Sequence, residues 1–91
     1  MKVALIISTY KSSVALSIIF DAISRQVQLP NEIIIAEDGN DKKTLEVINS
    51  WKNKISSKFI HVYQEDIGFR KALILNKAIQ LSKSDYIIQI D

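Results

Sequence analysis

The chain has 91 residues, 47% of them hydrophobic and 24% charged, with a formal net charge of +2. That length holds one domain at most, and the balance is that of a globular chain and not a disordered one. No cysteine and a single histidine exclude disulfides, thiolate metal centres and a self-contained histidine zinc site.

Residues 3–7 are apolar on both faces, as a central strand covered by helices on each side requires. The spacing of Val14, Ile18, Ile19, Ala22 and Ile23 predicts a helix over 13–27, with Ser12 or Ser13 available to cap its first turn. Pro30 marks the break before a second strand over 32–37. Asp38-Gly39-Asn40 is a turn signal, and Asp41 is placed to cap a helix over 42–53 that buries Leu45, Ile48 and Trp51. A third strand spans 58–63, and a third helix spans 69–82 with Ala72, Leu75, Asn76 and Ile79 on one face. Residues 86–90 form the fourth strand.

Strands alternating with helices predict βαβ units and a parallel sheet, a Rossmann-like α/β three-layer sandwich. Right-handed crossovers lead to the strand order 3-2-1-4. The fourth strand is then an apolar edge without a covering helix, open to pairing with a second copy. The expectation is that the chain is a fragment of a larger domain.

The strand ends carry the polar residues. They lead into Ser8-Thr9-Tyr10, Glu37-Asp38, Gln64-Glu65-Asp66 and Asp91. In open parallel sheets, ligands bind in the crevice outside the carboxyl ends of the strands. Five of the ten acidic residues gather at this rim, where their repulsion needs an answering cation or hydrogen-bond donors. Glu37 and Asp38 fit two readings: acceptors for a nucleobase N–H or a ribose hydroxyl, or an ordinary acidic turn in which Gly39 supplies a positive φ. Arg70 opens the third helix, where a cation opposes the helix dipole, so an anion such as a diphosphate would explain it. An ion pair with Glu65, Asp66 or Asp38 is the alternative. Asp91 suits a ribose or a hard divalent cation. Tyr10, Tyr63 and Phe69 could stack on a base or cap the core. His61 reads as a satisfied or solvent-facing strand residue, and Asn76 as a buried amide bonded to a neighbouring loop.

Other signatures are missing. Neither G-x-G-x-x-G nor G-x-x-x-x-G-K-[ST] occurs, and Ser8-Thr9-Tyr10 stands where a receiver domain needs an acidic pair. The lysines are scattered, unlike the clustered basic face that nucleic acid binding uses. No apolar run reaches the roughly 20 residues that span a bilayer. A cleavable secretory signal is also missing, so the expected location is cytoplasmic, with peripheral membrane association left open to a larger parent.

Four pieces, 3–11 (VALIISTYK), 30–39 (PNEIIIAEDG), 68–72 (GFRKA) with 76–79 (NKAI), and 85–91 (DYIIQID), stand in one order along the chain. Together they resemble the start of a family 2 glycosyltransferase of the GT-A type, and members that build surface polysaccharides in particular. The resemblance implies a site for a nucleotide-diphosphate sugar, most often a UDP-sugar, and a glycan acceptor. Ser8, Thr9, Tyr10 and Asp38 would hold uracil and ribose, with Glu37 in support and Arg70 near the base or diphosphate. Asp91 would be the first acid of the D-x-D motif, whose last acid binds Mn²⁺ or Mg²⁺. The metal-binding partner acid, the acceptor site and the catalytic base are not among these residues. The expectation is a donor-binding half of an inverting enzyme, inactive alone. The competing expectation is a non-catalytic α/β assembly module that uses its exposed edge strand.

Overall fold

A computed structural model describes residues 1–64 and 71–90. The elements are β1 (Val3–Thr9), α1 (Ser13–Ser24), β2 (Glu32–Asp38), α2 (Lys42–Trp51), β3 (Lys58–Gln64), α3 (Lys71–Leu81) and β4 (Tyr86–Ile90). The four strands are parallel and lie in the order β3-β2-β1-β4, as expected from the sequence. Period-two alternation sorts their side chains into two layers. Leu5, Ile7, Ile33 and Ile35 face Leu16, Phe20 and Ile23 of α1 and Ile48 of α2. Ala4, Ile6, Ile34 and Ala36 face Ile74 and Ala78 of α3. Helices therefore cover both faces, which is why the middle residues of β1 and β2 can be apolar on both faces.

The helices bury part of the expected stripes, with Ile23, Ile48, Trp51 and Leu75 packed in the core as expected, and differ at other positions. On α1, Leu16, Phe20 and Ile23 are buried, whereas Val14 and Ile18 are 74% and 66% exposed. Both sets have helical spacing, and the bulk of Phe20 decides between them. Its ring fills the space between Phe59 (centroids 5.4 Å apart) and Trp51 (6.4 Å). The helix also ends at Ser24, and Val27 is fully exposed. On α2, Thr44 and Ile48 are buried and Trp51 is half-buried, while Leu45 is exposed. On α3, Ile74 and Ala78 are buried and Asn76 and Ile79 are exposed, so Asn76 is not the buried amide that the sequence suggested. The small residues Ala4, Ala36 and Ala78 let this helix approach the sheet closely. Phe69 lies outside the described residues.

Neither predicted cap bonds as expected. Ser12 occupies the cap of α1, but its hydroxyl donates to the Tyr10 carbonyl at 2.9 Å. Asp41 caps α2 by position, and its carboxylate accepts from the Thr44 hydroxyl at 3.0 Å.

The amino ends of the strands carry a polar lock of their own. Glu32 is buried at the start of β2, and its Oε1 accepts from Ser84 Oγ (2.6 Å), Ser82 Oγ (3.1 Å) and the Lys83 amide (3.2 Å). The Ser84 hydroxyl is the main cause holding its carboxyl below the ordinary glutamate value, with Lys83, Ser82 and Lys58 adding to it against the opposing effect of burial. A depressed folded-state value contributes stability that is present above the unfolded-state value and lost as pH falls through the folded one. Urea unfolding between neutral pH and pH about 3 should therefore show a steeper acid loss for the wild type than for Glu32→Gln. Parallel profiles would dismiss the lock.

Candidate functional site at the carboxyl ends of the strands

β1 and β2 are in register so that Ser8 pairs with Ala36 and Thr9 with Glu37. This places Thr9 beside the Glu37-Asp38 step at one edge of the sheet. Thr9 Oγ1 is buried and meets no hydrogen-bond partner among the described residues. Tyr10 follows at the surface, with Lys11 Nζ 5.4 Å from its ring centroid. A cavity of about 190 Å³ opens here, lined by Lys11, Glu37, Asp38, Asn40, Asp41 and Lys42, with Gly39 also in its wall.

Glu37 and Asp38 are buried, and strand alternation turns them to opposite faces of the sheet. Glu37 is held at both oxygens. The Asp41 backbone N–H donates to Oε2 at 2.7 Å, and His61 Nε2 lies 2.8 Å from Oε1. Asp38 Oδ1 accepts from Gln64 Nε2 at 3.0 Å. Here the repulsion expected between rim carboxylates is answered by hydrogen-bond donors of the chain itself. Between the two acids and α2, Gly39 takes φ 118°, the positive value expected of it, and its amide donates to the Gln64 carbonyl at 2.8 Å.

The structure thus brings Ser8, Thr9, Tyr10, Glu37 and Asp38 together. Arg70 and Asp91, with Glu65 and Asp66, lie outside the described residues. Sequence reasoning placed Gln64 at this rim without its bond to Asp38, and missed His61 as part of it. A signal was available: Ile35 pairs with His61 and Asp38 with Gln64, so β3 carries one polar residue toward each rim acid. His61 reaches Glu37 diagonally, two residues beyond its own register partner.

Among the described residues, no group of three or more His, Asp or Glu could hold a metal ion. Asp91, read from the sequence as suited to a ribose or a divalent cation, lies outside them.

An open parallel sheet that gathers polar groups at its carboxyl edge is the architecture of the nucleotide-binding α/β proteins. Within that class the chain belongs to glycosyl transferase family 2, whose model matches residues 4–91. It is 27% identical over 90 residues to validoxylamine A glucosyltransferase of Streptomyces hygroscopicus subsp. limoneus, covering 97% of this chain and 19% of that protein. Chondroitin synthase of Pasteurella multocida (strain Pm70) is 24% identical over 89 residues, 97% of this chain and 9% of its own length. The chain thus spans a fifth or less of these relatives.

Proposed function

We propose that this chain is the donor-binding part of a glycosyltransferase domain that transfers a sugar from a nucleotide-diphosphate sugar to a glycan acceptor. The donor is of the UDP class, the parent acts in surface polysaccharide synthesis in the cytoplasm, and residues 1–91 are without transfer activity alone. The observation that carries this reading is the polar cavity at the carboxyl edge of the sheet, lined by Asp38 and the residues after it, with Thr9 in register beside Glu37 at the same edge. A carboxylate only accepts hydrogen bonds, so Asp38 suits a base that presents an N–H, as uracil does at N3. The buried Thr9 hydroxyl, without a partner among the described residues, is available to a nucleoside, since buried polar groups are normally satisfied. Tyr10 offers an exposed ring for stacking. Arg70 would meet the diphosphate as a fixed cation.

In the parent reaction the acceptor hydroxyl displaces the nucleoside diphosphate in line at the anomeric carbon, with inversion. The contribution of these residues is binding and orientation of the donor. Family 2 enzymes generally depend on a divalent metal, which stabilises the charge of the leaving diphosphate. The described residues do not form a site for one.

Calorimetric titration of the chain with UDP and Mn²⁺ tests the reading. Asp38→Asn keeps the size of the side chain and an oxygen acceptor for Gln64 but removes the charge. A charge-assisted hydrogen bond is worth about 1.5–3 kcal/mol, so the dissociation constant should rise about 10- to 100-fold. No binding by a folded sample, or equal binding by wild type and Asp38→Asn, would count against it.

A second reading has its own support. Tyr86, Ile87 and Ile88 are exposed on β4, which pairs with β1 alone among the described strands. Such an edge suits pairing with a second copy, as in a non-catalytic assembly module. Concentration-dependent sedimentation without nucleotide affinity would favour that reading.

A further inference from the structure

We propose that His61 is a positioning residue for the nucleotide site, acting through Glu37 on the turn that carries Asp38. The inference rests on the donor-site reading above.

Among the described residues, two contacts of β3 anchor the turn between β2 and α2. One is Gln64, which bonds the Asp38 carboxylate through its side chain and the Gly39 amide through its carbonyl. The other is indirect. Glu37 reaches forward to the amide of Asp41, four residues on, and so closes the turn over Gly39 and Asn40. A glutamate with several rotatable bonds holds that pose only if its second oxygen is fixed as well. His61 fixes it, at 2.8 Å, with side-chain exposures of 14% for the imidazole and 1% for the carboxylate. The partnership is shielded from water, which strengthens it relative to an exposed pair.

Two neighbours restrict the imidazole in turn. The Tyr63 ring lies 5.2 Å from it, at 43° between the planes. The strand backbone of β3 fixes its origin against Ile35. The imidazole therefore has little freedom, and neither has the carboxylate it holds. The consequence runs outward: Asp41 is also the cap residue of α2, and its carboxylate takes the Thr44 hydroxyl. Fixing Glu37 thus sets the start of α2 and the wall of the cavity formed by residues 39–42. Asp38, Asn40 and Asp41 are presented to a ligand in one arrangement instead of several. Preorganisation of this kind favours affinity by lowering the ordering cost of binding.

The test pairs two substitutions. His61→Val suits a strand but removes the donor to Glu37. His61→Gln places an amide N–H near the former position of Nε2 and restores it. The first readout is the UDP dissociation constant, with Asp38→Asn as the control for the site itself. His61→Val should weaken UDP binding about tenfold, equivalent to about 1.4 kcal/mol, while His61→Gln should return it to within about threefold of wild type. The second readout needs no nucleotide. The Asp41 amide proton donates to a carboxylate, so its NMR resonance should move upfield in His61→Val and stay in place in His61→Gln.

If Asp38→Asn loses UDP while His61→Val binds as wild type, the positioning role is overturned and the donor site stands. If the wild type binds no UDP, the donor reading fails, and the Asp41 resonance alone decides whether His61 sets the turn. A resonance that stays put in His61→Val overturns the proposal. So does a lowered melting temperature in His61→Val with unchanged affinity and an unchanged Asp41 signal, which marks a purely structural residue.

Discussion

Replacing Glu37 by alanine should destabilise the fold by about 3–4 kcal/mol, a fall in Tm of about 15–25 °C for a domain of this size. The estimate follows from what the side chain satisfies. Its two oxygens answer the Asp41 amide and the His61 imidazole, and the carboxylate is almost fully buried. Alanine leaves both donors facing a space with no acceptor, and each unsatisfied buried donor costs about 1–3 kcal/mol. Glu37→Gln separates acceptor loss from charge loss. Its amide oxygen can still accept from Asp41, and its NH₂ can donate to the imidazole in the other tautomer. That variant should lose only about 1 kcal/mol. Urea unfolding of both proteins checks the difference. Equal losses in the two variants would mean that the charge, and not the pair of hydrogen bonds, holds the turn.

This result would bear on how the rim is understood. Acidic residues at the carboxyl edge of a sheet suggest a ligand or a cation, and here Glu37 has its oxygens occupied by the chain. Asp38, one residue on and turned to the other face, lines the same cavity as Glu37 and accepts from Gln64. The two neighbouring carboxylates thus differ in what holds them, the Asp41 amide and His61 for Glu37 and Gln64 for Asp38.

The sheet was legible because its determinants are local and repetitive. β1 and β2 are apolar on both faces, which only a covered parallel strand tolerates, and the crossover rule then left the observed order. The bounds of β4 agree with those read from the sequence. Thr9 and Asp38 were expected at one edge because carboxyl ends of parallel strands converge there. What escaped depended on partners distant in the chain. Nothing near Asn76 reveals that Ile74 and Ala78 meet the alanines of β1 and β2 while Asn76 itself faces outward. Nothing near Glu37 reveals that a histidine 24 positions later will reach its carboxylate. Pairwise contacts of this kind appear only after strand order and register are known.

The same limit on α1 yields the second large effect. Phe20→Ala should cost about 3–5 kcal/mol, the usual loss for a buried aromatic ring. Phe20 is fully buried and its ring lies against both Phe59 and Trp51, so truncation removes the body that joins α1 to β3 and α2. A domain of this length has about 5–10 kcal/mol of stability in all, so the variant should approach unfolding at ordinary temperature. Ile18→Ala on the same helix makes the control, because Ile18 is 66% exposed and belongs to the stripe that the sequence pattern favoured. Alanine is the better helix former, so that variant should stay within about 0.5 kcal/mol of wild type. Urea denaturation of the two variants discriminates between the stripes. A large loss in Ile18→Ala with a small one in Phe20→Ala would mean that α1 is rotated about its axis from the orientation described. That rotation would also dismantle the aromatic cluster beneath β2 and β3, and with it the frame on which the Glu37–His61 pair is built.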